Sequence, residues 1–410
     1  MGFTEKISFN TVLENKLMNS TADESIAALS HFIQTVKHNG ISKSYKNDAI
    51  KITKQILQDI DPDDESISDI VAEEALQYGI FEETTIPFPA TTSPKFKFID
   101  LFAGIGGFRL AMQNVGGVCT YSSEWNINSK KTYLENFGEI PFGDITQERI
   151  KRYIPKQFDV LCAGFPCQAF SIAGYQKGFS DTRGTLFFDI QQIVEKHRPK
   201  VIFLENVKNL VSHDKGRTFK TILDVLENKL KYKVFYKVLN SMDYANIPQN
   251  RERIFIVAFD PIQVPNYKEF RFPMKIKLTK TIHDFIEKGK QDEKYYYGKT
   301  HKYFPELDKV MKSKDTVYQW RRIYVRENKS QVCPTLTANM GTGGHNVPLI
   351  RDNYGIRKLT PKECFAFQGY PMDKFILPKM ADSKLYMQAG NSVTTTLVER
   401  ISKEIINVLL

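Results

Sequence analysis

A thiol, a carboxyl and two guanidiniums are the groups of this chain best suited to covalent chemistry. Cys167 follows Pro166 in Gly164-Phe-Pro-Cys-Gln-Ala-Phe-Ser171. Gly164 permits a sharp exit from the apolar run 158–163, and Pro166 fixes one backbone dihedral just before the thiol. Glu205 ends the apolar stretch Val201-Ile-Phe-Leu-Glu205, where a carboxylate is costly unless it has a task or a partner. Arg251 and Arg253 alternate on one face as the next apolar run, Ile254–Phe259, begins. Together these groups fit nucleophilic catalysis on an electron-poor ring. Cationic neighbours would lower a free thiol pKa near ~8.5 and supply the thiolate. A lone cysteine is more often buried and inert; the company of Glu205, Arg251 and Arg253 sets Cys167 apart.

These groups share a position. Each stands at or near the carboxyl end of a predicted strand, or begins the next, and open α/β sheets bind ligands at that end. The first strand is Phe96–Phe102, followed by the glycine turn Ala103–Gly107 and a helix over Phe108–Gln113. Strand, glycine turn and helix open a nucleotide-binding unit. Glu124, about 20 residues on, is placed to bond ribose hydroxyls. The glycine spacing departs from G-x-G-x-x-G, which weakens a dinucleotide reading. Trp125 can lie against an adenine face or pack in the core. Asp144, in Phe142-Gly-Asp-Ile-Thr146, follows a second strand end and can accept from an adenine amino group. The loop Ser171–Gly184 holds three glycines and Arg183, and is long enough to close over a substrate.

Composition bounds the rest. The 410 residues suffice for two or three domains, and no run of about 18 apolar residues spans a membrane. Five scattered cysteines fit neither a disulfide framework nor a zinc pattern. The net charge of +10 is uneven: residues 1–94 carry −8, which leaves +18 on the remainder. A basic body suggests a polyanionic partner. Helical spacing marks Ser25–Val36, Ala49–Ile60 and Ser68–Tyr78, and Pro87, Pro89 and Pro94 make a linker. Residues 1–94 therefore read as a separate helical extension. Residues 275–353 read as irregular and polar, with basic and aromatic residues mixed among glycine turns.

Six segments stand in order: Phe98-Ile-Asp-Leu-Phe-Ala-Gly-Ile-Gly-Gly107, Gly164-Phe-Pro-Cys-Gln168, Leu204-Glu-Asn-Val207, Gln249-Asn-Arg-Glu-Arg253, Arg357-Lys-Leu-Thr-Pro-Lys-Glu-Cys364 and Gln388-Ala-Gly-Asn-Ser-Val393. With them the chain resembles the prokaryotic DNA (cytosine-5)-methyltransferases of restriction-modification systems, the HhaI type. The likeness covers residues 96–273 and 354–410. It implies an α/β, Rossmann-like S-adenosylmethionine-dependent methyltransferase fold, with a small irregular target-recognition domain and the helical N-terminal extension. The implied boundaries are 1–94, then 95–274 completed by 354–410, with 275–353 for target recognition.

The resemblance also implies roles. Cys167 would add to a cytosine flipped out of double-stranded DNA, Glu205 would bond its ring nitrogen and amino group, and Arg253 its carbonyl. Arg251 would lie nearer the substrate backbone or the active-site loop. S-adenosylmethionine would be held by Phe102, Gly104, Gly106, Glu124, Trp125, Asp144, Ile145, Pro166 and Asn391, with stacking by Phe102 or Trp125. DNA contacts would fall to Gln168, Ser171, Arg183, Arg321, Arg322, Arg326 and Thr337. Thr337 lies in Cys333-Pro-Thr-Leu-Thr337, which is similar to the family's recognition element. Residues 335–348 look like those of enzymes whose targets begin GG and end CC. A monomer in a prokaryotic cytoplasm, with no metal, is expected. An NAD-binding oxidoreductase would explain the glycine turn but neither Cys167 nor the arginines. The tRNA-modifying cousin shares the cysteine motif but not the long variable region.

Overall fold

The computed structural model describes residues 24–35, 44–77, 86–166, 186–321, 323–342 and 346–410. The chain divides into two compact units, residues 1–203 with 228–231, and residues 204–227 with 232–410.

In the first unit, α1 (Ser25–Thr35), α2 (Lys46–Ile60) and α3 (Asp69–Gln77) form the N-terminal extension. Helix α2 buries Ala49, Ile52, Thr53, Ile56 and Leu57, an apolar stripe at the three-to-four spacing that drives a helix onto a surface. Strand β1 (Phe96–Leu101) leads through the glycine turn to α4 (Gly107–Asn114) and β2 (Gly117–Ser123). Then come α5 (Ile127–Phe137), the single turn α6 (Glu148–Lys151), β3 (Val160–Gly164) and α7 (Leu186–His197). Strand β1 pairs in parallel with both β2 and β3. Every residue of β2 is buried, as expected for a parallel strand covered on both faces. An ion pair is buried here: Arg109 on α4 donates to both oxygens of Glu139 at 2.7 and 2.8 Å. Two parallel bonds let such a pair survive desolvation.

Strand β4 (Val201–Val207) crosses the boundary between the units, and its residues from Leu204 onward belong to the second. There α8 (Arg217–Asp224) precedes β5 (Lys233–Asn240), the turn α9 (Ser241–Tyr244), the short β6 (Gln249–Asn250) and β7 (Glu252–Phe259). Strands β5 and β7 run antiparallel from Lys233↔Phe259 to Asn240↔Glu252. The fold is thus mixed α/β, with parallel pairing around β1.

The segment expected to be irregular has regular structure of its own. It contains α10 (Phe304–Val310), β8 (Tyr318–Arg321), β9 (Tyr324–Glu327), β10 (Cys333–Pro334) and β11 (Leu349–Arg351), and β12 (Ile356–Lys358) follows. Four of these strands form a sheet in the order β12-β11-β8-β9. Leu307, Met311, Tyr318, Leu349 and Ile356 form a core cluster beneath it. Strands of three or four residues offer too few alternations to be read as a period. The chain ends with α11 (Pro361–Ala366), α12 (Asp382–Asn391) and α13 (Thr395–Leu409). Thr360 and Glu363 close a reciprocal capping box at the start of α11.

Candidate active site

The turn after β1 is built for close approach. Phe102, Gly104 and Gly106 all have positive φ, at 56°, 57° and 82°. For Phe102 that left-handed backbone is unfavourable, and such residues persist where surrounding structure holds them for a purpose. A Cβ on Gly104 would meet only the Phe102 carbonyl, at 4.0 Å, so a ligand can lie against this backbone. Glu124 holds the turn from beneath: its Oε2 accepts the Gly104 amide at 2.8 Å and its Oε1 the Asn126 amide at 2.7 Å. Burial pushes the Glu124 carboxyl up, and these amides and Lys130 oppose it. Trp125 is 77% exposed, which excludes the core-packing alternative.

Asp144 follows not the expected strand but a single bridge residue, Phe142, which is laced to the end of β2. The Phe142 amide donates to the Ser122 carbonyl and the Glu124 amide to the Phe142 carbonyl, both at 2.8 Å. Asp144 Oδ1 accepts from the Thr146 amide at 3.0 Å and its hydroxyl at 2.9 Å. Ile145 is buried, while Pro166, just past β3, is exposed. An open glycine backbone, a carboxyl behind it, a second acid and an exposed indole suit an adenosine-bearing ligand such as S-adenosylmethionine. Asn391 belongs to the second unit, at the exposed end of α12.

Asp100, on β1, was not singled out by its sequence, although an acid inside an apolar strand is a signal. It is fully buried, and among the described residues neither carboxyl oxygen meets a partner at good hydrogen-bond geometry, although the Arg109 backbone faces it. Burial pushes its pKa up to about 8, against the pull of Arg109.

In the second unit, Arg253 Nε donates to Glu205 Oε1 at 3.0 Å, with the two side chains only 14% and 10% exposed. Burial pushes the Glu205 carboxyl above its ordinary range, and the Arg253 and Arg251 guanidiniums draw it back. Arg251 does not share the partner of Arg253. It is 1% exposed and donates to the carbonyls of Leu336 at 2.8 Å, Gly390 at 3.2 Å, and Ser392. It therefore ties the loop after β10 to the end of α12. Cys167, Gln168, Ser171 and Arg183, with the loop Ser171–Gly184, lie outside the described residues, as does Arg322.

Arg321, Arg326 and Thr337 come together in a cleft of about 370 Å³ in the second unit. Gln319, Asn328, Thr335 and Asn339 line it too. Its wall is one face of the β8–β9 hairpin: Gln319 pairs with Arg326, and Arg321 and Asn328 each stand two residues from one of them. The amides went unremarked in the sequence, though their two-residue spacing from the arginines was there to read. Ile323 and Tyr324, at the turn, are 88% and 57% exposed. Among the described residues no cluster of His, Cys, Asp and Glu could hold a metal ion, and no helix is long and apolar enough to cross a membrane.

Residues 96–407 match the family model described as C-5 cytosine-specific DNA methylase. The type II methyltransferase M.Bsp6I of Bacillus sp. (strain RFL6) is 51% identical over 315 residues, covering 76% of this chain and 98% of the relative. M.HhaI of Haemophilus parahaemolyticus is 42% identical over 322 residues, covering 75% and 94%. Among solved structures, the Entamoeba histolytica methyltransferase EhMeth has a TM-score of 0.57 at 18% identity, covering 77% of this chain and 99% of that one. That last likeness is one of fold.

Proposed function

The chain belongs to the C-5 cytosine-specific DNA methylase family, and from that premise we propose that it methylates carbon 5 of a cytosine flipped out of duplex DNA, through a covalent adduct with Cys167. It is a DNA cytosine-5 methyltransferase of the restriction-modification type. Protection of host DNA from a partner nuclease is the role this suggests. A soluble monomer in a prokaryotic cytoplasm is the accompanying reading.

Carbon 5 of cytosine is a poor nucleophile and is unreachable in a stacked helix. Flipping costs roughly a few kcal/mol, recovered in the pocket. Addition of the Cys167 thiolate to carbon 6 moves ring electrons toward carbon 5. Glu205 gives a proton to the ring nitrogen and holds the exocyclic amine, while Arg253 holds the carbonyl oxygen. When carbon 5 has been methylated, water acting as base takes its proton, Glu205 recovers the proton of the ring nitrogen, and the Cys167 thiolate leaves as the ring is restored. S-adenosylmethionine, when bound, supplies an electrophilic methyl group. Phe102, Gly104, Gly106, Glu124, Trp125, Asp144, Ile145, Pro166 and Asn391 would hold it. Arg251 would keep the recognition loop in register. Gln168, Ser171 and Arg183 would follow the DNA, and Arg321, Arg322, Arg326 and Thr337 would read or clasp the target.

The observation that carries this reading is the sequestered Glu205–Arg253 pair, a carboxyl biased toward its protonated form beside a cation. It is tested by supplying methyl-labelled S-adenosylmethionine with duplex DNA or with tRNA. Label in the DNA is expected; label in tRNA alone would move the chain to the tRNA-modifying cousins.

A further inference from the structure

The family model begins at residue 96, so the helices before it stand outside that description. Four of their polar side chains nonetheless reach into the rest of the first unit. Tyr45, fully buried, donates its hydroxyl to the Thr120 carbonyl at 2.7 Å. Ser30 Oγ accepts the Ile140 amide at 2.9 Å. His31 Nε2 lies 3.3 Å from Ser122 Oγ, and its ring is 4.9 Å from that of Phe142. Glu24 Oε2 accepts the Gly143 amide at 3.0 Å, and its Oε1 takes Arg149 at 3.3 Å. Beyond Arg149, and the Tyr153 carbonyl and Glu139 carboxylate that Tyr45 and His31 also meet, these contacts fall on two stretches, 120–122 and 140–143. The first runs into Glu124 and the second into Asp144.

Glu24 makes the most telling of these contacts. A carboxylate only 8% exposed must be paired, and its partners are an amide and a guanidinium. The approach is close: a Cβ on Gly143 would stand 2.8 Å from Glu24 Oε1, so the carboxylate would have to shift to admit one. Gly143 is the residue before Asp144. Lys130, on α5, links the same groups: burial lowers its pKa, and Glu24 and Glu124 both act to raise it.

We propose that Glu24 is a positioning residue of the methyl-donor site. It fixes the Gly143 amide and, through it, the backbone that presents Asp144 and Ile145 to the adenine of S-adenosylmethionine. The N-terminal extension is then part of the donor site, not an appended module. The proposal rests on the assignment of Asp144 to the adenine edge.

The test uses the full chain and reads the Kd for S-adenosylmethionine, kcat at saturating donor, and Tm. Glu24→Ala removes the acceptor; Glu24→Gln keeps an oxygen for Gly143. Tyr45→Phe removes a different contact of the extension, and Asp144→Ala probes the underlying assignment. Glu24→Ala is expected to raise Kd roughly ten-fold, as loss of one charge-assisted hydrogen bond allows, with kcat little changed. Glu24→Gln should recover most of the affinity, and Tyr45→Phe should lower Tm without moving Kd. If Glu24→Ala does not fold, Gly143→Ala presses on the same contact from the other side and carries the same expectation. Wild-type Kd in Glu24→Ala, beside a weakened Asp144→Ala, would overturn the proposal alone. Equal weakening in Tyr45→Phe would also overturn it, because general loosening would then suffice. Wild-type Kd in Asp144→Ala would instead remove the adenine assignment beneath it.

Discussion

Arg253 Nε stands 3.0 Å from Glu205 Oε1, and the pair is almost closed to solvent. Burial favours the neutral carboxyl and the guanidinium favours the charged one. A group balanced in this way can give a proton to a ring nitrogen and take it back.

Glu205→Gln keeps the shape of that side chain but cannot move a proton. Single-turnover methylation should slow by about 10²- to 10⁴-fold, the usual contribution of a positioned acid. DNA affinity should stay near that of the wild type. The wild-type rate should fall as pH rises through the raised Glu205 pKa, since the protonated acid is lost, and that limb should be absent from the variant. An unchanged rate would remove Glu205 from the chemistry.

Asp100 links stability to pH. Its folded pKa is raised to about 8, whereas the unfolded carboxyl titrates in the ordinary range. The contribution is fully present at acid pH, below the unfolded value, where both states hold the proton. As pH rises from about 4 toward 8 the unfolded chain releases a proton that the folded chain keeps, so stability falls by up to about 1.4 kcal/mol per pH unit. Asp100→Asn should flatten that slope. Urea midpoints across a pH series measure it, and parallel curves for the two proteins would contradict the assignment.

The two cleft arginines should separate. Arg326, opposite Gln319 on the hairpin, is expected to read a base, so Arg326→Ala should lose roughly 1–3 kcal/mol of discrimination at one position. Arg321, near the hairpin turn, is expected to meet phosphate. Arg321→Ala should weaken all duplexes alike and reduce the salt slope by about 1. Competition binding across single-base variants and salt concentrations distinguishes them; the reverse pattern would exchange their roles.

Much of the scaffold was legible because long apolar runs fold locally. The strand over Phe96–Phe102 was read to within one residue, and α1, α2 and α3 within a few residues. That a carboxyl and guanidiniums stand at strand ends was legible, but the direct pairing of Glu205 with Arg253 was not. What escaped depends on contacts between distant residues. Glu24 and Gly143 are 119 positions apart and Tyr45 and Thr120 are 75 apart, and nothing in the sequence around any of them marks its partner. Arg251 and Arg253 were read as one pair on one face, but a two-residue spacing does not say which guanidinium meets a carboxyl and which is enclosed by carbonyls. The sheet of β8, β9, β11 and β12 was hidden by strands too short and polar to show a period.

Bisulfite sequencing of DNA from a host expressing the chain tests the central claim most directly. Bisulfite converts unmodified cytosine and spares 5-methylcytosine. The wild type should protect one cytosine within one short recurring sequence, and Cys167→Ala should protect none. Equal protection by Cys167→Ala, or no protected sequence with active wild-type protein, would contradict methyl transfer to cytosine through a Cys167 adduct.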